Sequence, residues 1–149
     1  MPAEVFRHEG EPGPPALQHA AEAVLAAVEQ ADAELSVMLC DDETITELNR
    51  AWRGKHEATD VLSFPQGESP PGAPVLLGDV VISLETCARQ AAARGHADEV
   101  EQQVLLVHGV LHLLGYEHDE PADRARMQAE EARLLSVLGL DAISLIERA

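Results

Sequence analysis

The chain has 149 residues, 46% of them hydrophobic, and a formal net charge of −17 at pH 7. This length suits one compact domain over residues 1–149, and the hydrophobic fraction excludes global disorder. The charge argues against a surface that attracts nucleic acid over its whole extent. No apolar run approaches the roughly 18 residues of a membrane span and the N-terminus has no signal-peptide pattern, so we expect a soluble cytoplasmic protein.

The first half of the chain alternates helical and strand patterns. Proline and glycine between residues 10 and 15 predict a loop, and glycine at position 54 ends a helix. Apolar spacing assigns the remaining elements. In chain order they are a helix over Ala16–Gln30, a strand over Glu34–Cys40, a helix from Asp41 or Asp42 to about Trp52, and a strand over Asp60–Phe64 stopped by Pro65.

The second half begins with a surface loop, Gln66–Pro74, which is rich in glycine and proline. Asp98 is expected to be the N-cap of the helix that carries His108 and His112. The other predicted elements are a strand over Val80–Leu84, a helix over Thr86–Arg94 ended by Gly95, and a helix from Pro121 to about Leu138. The tail from Asp141 is weakly specified. Interleaved strands and helices predict an α/β or α+β fold, a small mixed sheet packed by helices.

Three histidines lie in the segment His-Gly-Val-Leu-His-Leu-Leu-Gly-Tyr-Glu-His, with the spacing H-x3-H-x5-H. His108 and His112 are four residues apart, so they share one face of a helix. Gly115 can end that helix, and the turn that follows can bring His118 to the same point. Three imidazoles predict one zinc ion per chain with an open fourth position, and hence metal-assisted hydrolysis.

A similar spacing occurs in zinc peptidases of the H-E-x-x-H-x-x-G-x-x-H type, which need a glutamate directly after the first histidine. Here that position is Gly109, which cannot accept a proton. Either another group acts as the base or the substrate needs less help from one. A closed structural zinc site, completed by Glu117 or Asp119, is a further alternative.

Basic residues cluster in one short stretch, where Arg50, Arg53 and Lys55 lie within six positions. Two interpretations are open: cations that offset a helix dipole, and a small phosphate-binding patch on an acidic body. The two cysteines, Cys40 and Cys87, do not form a CxxC pair, and we interpret them as buried free thiols.

Three segments together resemble the YbeY family of bacterial endoribonucleases, which act in ribosomal RNA maturation. They are the histidine segment, residues 49–65 (Asn-Arg-Ala-Trp-Arg-Gly-Lys and Thr-Asp-Val-Leu-Ser-Phe-Pro), and Gly78–Ser83. The resemblance implies a zinc ion on His108, His112 and His118, and a functionally required Arg53. It also implies single-stranded RNA as substrate and the small ribosomal subunit with its assembly proteins as partners, with no membrane or DNA partner.

In the mechanism that we infer, a metal-activated water or a 2′-hydroxyl attacks phosphorus, and Arg53 meets the charge on the phosphoryl oxygens. Another zinc hydrolase and a non-catalytic ribosome-assembly factor with structural zinc are the alternatives. Asp60 and Asp79 are candidate partners of the ligand imidazoles, although a capping role at strand ends is slightly favoured. The aromatic residues Trp52, Phe64 and Tyr116 could stack on a base, but a place in the core is favoured.

Overall fold

The structure, a computed structural model, describes residues 3–66, 70–73 and 75–140. Within these ranges no helix is both long and apolar enough to cross a membrane. The strands are β1 (Ala3–Arg7), β2 (Glu34–Cys40), β3 (Val61–Pro65) and β4 (Leu76–Ser83). The helices are α1 (Pro15–Ala27), α2 (Asp42–Arg53), α3 (Leu84–Arg94), α4 (Asp98–Leu113) and α5 (Pro121–Val137).

The four strands form one mixed sheet in the order β1-β2-β4-β3. The strands β1, β2 and β4 are parallel to one another. The strand β3 pairs antiparallel with β4 at one edge of the sheet. The expected α/β class with a small mixed sheet is therefore confirmed.

The two faces of the sheet carry cores of different size. Alternate strand residues point to opposite faces, and one face packs with α1, α3, α4 and α5 into the main hydrophobic cluster. On the other face, α2 packs over a smaller cluster, which consists of Cys40, Ile45, Leu62 and Val81. Residues 104–111 of α4 are all buried, because this helix lies between the sheet and the other helices.

Most element boundaries agree with the sequence within a few residues, and the exceptions have local causes. The strand β1 was not predicted. Ala97, not Asp98, is the N-cap of α4, and it makes no side-chain cap hydrogen bond. The strand predicted to end at Leu84 ends one residue earlier, because Ser83 caps α3 by accepting from the backbone N–H of Thr86. Within the predicted loop Gln66–Pro74, residues 67–69 and 74 lie outside the described residues, as does the tail from Asp141.

The helix α2 has the ends that its sequence predicts. The Asp41 carboxylate accepts a hydrogen bond of 2.8 Å from the Thr44 backbone N–H, which caps the N-terminus. Gly54 ends the helix in a left-handed conformation, with φ of 71°. Arg53 is thereby the last residue of α2, at the start of the loop that leads into β3.

Both cysteines are buried free thiols, as predicted. Burial, together with the charge of the neighbouring Asp41, raises the pKa of Cys40 to about 12. A thiol with such a pKa stays protonated at neutral pH, so it is a poor metal ligand or nucleophile.

Candidate metal centre

His108 and His112 lie one turn apart on α4, and their side chains point to the same place. The Nε2 atoms of the two rings are 3.2 Å apart. Two nitrogens bound to one tetrahedral zinc ion, each at about 2.05 Å, are separated by about 3.3 Å. The spacing along the helix therefore places both nitrogens as a metal ion would require.

The turn after α4 brings in the third histidine. Gly115 has φ of 95°, and the backbone N–H of Tyr116 donates back to the Leu111 carbonyl at 3.0 Å. This closes the helix and reverses the chain. His118 then joins the other two, and one ring nitrogen from each histidine lies within 4.8 Å of the others. The predicted convergence of the three imidazoles on the helix and its following turn is present.

Each histidine of the helix is held through its second ring nitrogen. The Nδ1 atom of His108 lies 2.9 Å from a carboxylate oxygen of Glu131, a buried residue of α5. The Nδ1 atom of His112 lies 3.0 Å from the Tyr116 carbonyl oxygen. Both acceptors favour the tautomer with the proton on Nδ1, which leaves Nε2 unprotonated toward the shared point.

No sequence motif indicated Glu131, and the predicted candidates for this role were Asp60 and Asp79. The Asp60 carboxylate accepts hydrogen bonds from the Val61 backbone and, at 3.1 Å, from the Gln90 side chain. Asp79 accepts from Gln66 and lines a cavity on the face of the sheet that α2 covers. Asp79 thus lies on the face opposite to α4.

Burial is the main cause that lowers the pKa of His112. The neighbouring His108 and His118 lower it further, since a second positive charge among three imidazoles is unfavourable. The neutral form of His112 is thereby favoured, and a neutral imidazole is the form that binds metal.

Two of the three histidines, His112 and His118, line a cavity of about 570 Å³ together with basic residues at and just after the end of α2. Arg53 and Lys55 lie in its wall, as do His112 and His118. Arg50, the third member of the basic cluster, instead pairs with Glu47 at 2.9 Å on the exposed side of α2. The structure therefore separates the cluster into two residues at the cavity and one in a surface ion pair.

Glu117 and Asp119 also line this cavity, and both are exposed. A Glu117 carboxylate oxygen lies 3.9 Å from Nδ1 of His112. Among the described residues, the group with metal-ligand geometry consists of the three histidines without either carboxylate.

The three aromatic residues differ in burial. The expectation of a core position is wrong for Trp52, whose exposed fraction is 71% because it lies near the end of α2 beyond the smaller cluster. Its ring contacts Phe64 edge to face, with centroids 6.0 Å apart. Phe64 packs partly buried against the smaller cluster and Tyr116 against the main one.

Gly109 lies where α4 approaches the sheet. A Cβ atom at this position would be 2.7 Å from a methyl group of Val80. The Gly109 carbonyl accepts a hydrogen bond of 2.8 Å from the Ser63 hydroxyl. A glutamate would therefore clash with β4, so close helix–sheet packing explains the glycine that distinguishes this segment from the peptidase motif.

Comparisons with known proteins identify similar chains. The family model described as Endoribonuclease YbeY matches residues 13–139. The chain is 53% identical over 131 residues to the Endoribonuclease YbeY of Anaeromyxobacter sp. (strain Fw109-5), covering 88% of this chain and 68% of that protein. It is 52% identical over 119 residues to a chloroplastic Endoribonuclease YBEY of Arabidopsis thaliana, covering 78% of this chain and 20% of that protein.

A solution structure of a Thermotoga maritima protein has the same fold. Its TM-score is 0.66, with 24% identity and 99% coverage of both chains. The family match spans α1 to α5, and so it includes all three histidines, Arg53 and Glu131. The chain belongs to the YbeY family of endoribonucleases.

Proposed function

We propose that the chain is one metal-dependent hydrolase domain, a zinc-dependent endoribonuclease that cleaves single-stranded RNA. We further propose that it acts in the cytoplasm on ribosomal RNA of the small subunit, with that subunit and its assembly proteins as partners. The observation that supports this most strongly is one cavity that joins His112 and His118 to Arg53 and Lys55. A metal-binding set and phosphate-binding cations thus face the same space.

The donor set fits zinc. Three imidazoles, with the Nε2 atoms of His108 and His112 at a distance of 3.2 Å, leave room for a fourth ligand. When bound there, zinc would act as a Lewis acid and lower the pKa of water toward about 7. The Glu131 carboxylate would hold the His108 ring in the ligating tautomer and orientation.

Arg53 and Lys55 would bind the phosphodiester. Attack on phosphorus places negative charge on the phosphoryl oxygens, and a guanidinium can donate to two of them at once. Both residues are exposed and lie beside the histidines, so a phosphate can reach them from solvent. We infer that Arg53 stabilises the transition state and that Lys55 chiefly attracts the RNA.

A substrate comparison tests the activity. Metal-loaded protein is incubated with single-stranded RNA, the same RNA as a duplex, and casein. We expect cleavage of the single strand, and loss of both metal and cleavage in His112→Ala. Because Gly109 provides no base and has no room for one, casein should remain intact. Casein digestion that His108→Ala abolishes would instead indicate a peptidase.

The role of Arg53 is tested with a matched variant on the same helix. Arg53→Ala should slow cleavage about 100-fold, the usual effect of losing one such donor. Arg50→Ala also removes one cation from α2. Because Arg50 pairs with Glu47 and does not line the cavity, cleavage by this variant should remain close to the wild-type rate. Metal content and melting temperature should change little in either variant. Near wild-type cleavage by Arg53→Ala would exclude Arg53 from the active site.

A further inference from the structure

The strand β3 forms an edge of the sheet, and its free side faces the metal cavity. It pairs with β4 on one side only within the described sheet. Val61, Ser63 and Pro65 line the cavity that also holds His112 and His118. The backbone of β3 therefore lies within reach of a molecule bound at the metal centre.

The hydrogen bonds at the two ends of β3 show which backbone groups point outward. The Ser83 N–H donates to the Asp60 carbonyl at 3.0 Å, and the Gln66 N–H donates to the Leu77 carbonyl at 3.5 Å. In an antiparallel pair, hydrogen-bonded positions alternate along the strand. The backbone N–H and C=O groups of the even-numbered residues from 60 to 66 therefore point toward β4. The β3 residues whose backbone groups point away from β4 are Val61, Ser63 and Pro65.

At two of these three outward-facing residues, no backbone N–H is available to a ligand. The Val61 N–H donates to the Asp60 carboxylate at 2.8 Å. Pro65 has no N–H. Within β3, all of which is described, the Ser63 N–H is the outward donor that remains, and the Val61 carbonyl beside it is an outward acceptor.

Ser63 is also anchored to the helix of the metal centre. Its hydroxyl donates to the carbonyl of Gly109, at 2.8 Å, and Gly109 directly follows His108. This bond fixes β3 against α4 at the level of the histidines. A group held by the Ser63 N–H would thus have a defined position relative to the metal ligands.

We propose that the Val61 carbonyl and the Ser63 N–H bind the Watson–Crick edge of one unpaired nucleobase beside the metal centre. A carbonyl and the N–H two residues further along one strand edge present an acceptor next to a donor. Adenine complements this pair with its amino group and ring nitrogen N1, and the other bases also carry adjacent donors and acceptors. The proposal rests on the proposed ribonuclease function and explains its selectivity, because in a duplex this edge is already paired.

A nucleobase suits this edge better than a polypeptide strand. Strand addition requires repeated N–H and C=O groups along the edge. The capped N–H of Val61 and the proline at position 65 interrupt that series. Arg53 and Lys55 in the same cavity add the positive charge that a phosphodiester needs and that a peptide backbone does not.

Two substitutions at one position isolate the backbone donor. Ser63→Ala removes the hydroxyl but keeps the N–H, whereas Ser63→Pro removes both. Proline is tolerated here because the N–H does not take part in the β3–β4 ladder. We expect Ser63→Pro to bind a 2′-O-methyl oligoadenosine about fivefold more weakly than Ser63→Ala. Equal affinity of two folded variants would overturn the proposal.

Changes in the RNA test the same contact in wild-type, zinc-loaded protein. Replacing adenosine by N6,N6-dimethyladenosine blocks the Watson–Crick edge, and 7-deazaadenosine alters only the opposite edge. The dimethyl oligonucleotide should bind about tenfold more weakly and should not shift the NMR signal of the Ser63 amide. The 7-deaza oligonucleotide should behave like the parent.

The outcomes separate this subsite from the proposed function. RNA that is cleaved while all three oligonucleotides bind equally would refute the subsite and leave the nuclease standing. A protein that neither binds nor cleaves RNA would refute the proposed function itself. An extended peptide that shifts the Ser63 amide when RNA does not would assign the edge to polypeptide and overturn the proposal.

Discussion

Glu131 is the residue that links α5 to the metal centre. Its carboxylate lies 2.9 Å from Nδ1 of His108, and both side chains are almost wholly buried. A buried carboxylate that holds a ligand imidazole restricts the ring to one orientation and makes it a stronger donor to the metal. We therefore expect the affinity for metal to depend on a residue that does not touch the metal.

The change Glu131→Ala should lower zinc affinity about 10- to 100-fold, because the His108 ring loses its fixed tautomer. Glu131→Gln, which keeps one acceptor oxygen, should fall between this variant and wild type. Competition with a chromophoric chelator measures the affinity. Glu99→Ala, an exposed acid in the first turn of α4, is the control for loss of one negative charge, and an equal decrease there would contradict a specific role for Glu131.

Gly109 should be intolerant of even one methyl group. In an exposed helix, glycine to alanine normally stabilises by about 1 kcal/mol. Here the added Cβ would lie 2.7 Å from a methyl group of Val80, so Gly109→Ala should destabilise by about 1–3 kcal/mol. Urea denaturation measures the free energy of unfolding. In the background Val80→Ala, which removes the clashing methyl groups, the same change should cost less, and an undiminished cost would show that the clash is not the cause.

At the scale of elements, Asp42 joins the N-termini of α2 and α3. Its carboxylate accepts hydrogen bonds of 2.6 Å from Ser83, Thr86 and Arg89. Partial burial opposes ionisation of Asp42, but these hydrogen bonds outweigh it and lower its pKa below the usual 3.8. The stabilising effect is therefore complete above pH 3.8 and is lost as the pH falls through the lower folded value.

It follows that Asp42→Asn should reduce the free energy of unfolding by about 1 kcal/mol at pH 7. The difference from wild type should shrink as the pH falls below 3.8, because the wild-type carboxylate is then protonated as well. Chemical denaturation between pH 2.5 and pH 7 would follow this change. Asp32→Asn, at an exposed position before β2, is the control, and a difference that stays constant with pH would contradict the role of the charge.

Local patterns explain which elements the sequence could reveal. The caps at Asp41 and Gly54 and the H-x3-H-x5-H segment depend on residues close in the chain, and these features agree with the structure. The five-residue strand β1 was missed because its pairing with β2, more than 30 positions later, carries little local signal.

The sequence around Glu131 does carry a signal of its role. It lies on the buried stripe of α5, where the apolar members are Met127, Leu134 and Leu135. A charged residue in such a stripe needs a partner inside the protein, and the nearest candidates are the histidines of α4. The partner itself could not be identified, since it depends on how α5 packs against α4.

At the scale of the whole molecule, the net charge of −17 opposes the approach of RNA. Salt screens this repulsion over about 8 Å at physiological ionic strength, and it also weakens the attraction at Arg53 and Lys55. Because the two effects oppose each other, RNA affinity should depend on salt no more steeply than about two phosphate contacts allow. Fluorescence anisotropy between 50 and 300 mM KCl measures the slope, and a slope equivalent to six or more contacts would refute this.

The edge position of β3 also has a consequence in time. During synthesis Pro65 emerges 66 residues before Glu131, which at about 5–20 residues per second is roughly 3–13 s. For much of that interval β3 has neither α4 above it nor the metal ligands beside it. We expect the Asp60 cap and Pro65 at its two ends to limit pairing with other nascent chains, so that the features that shape the cavity in the finished protein also protect the unfinished one from aggregation.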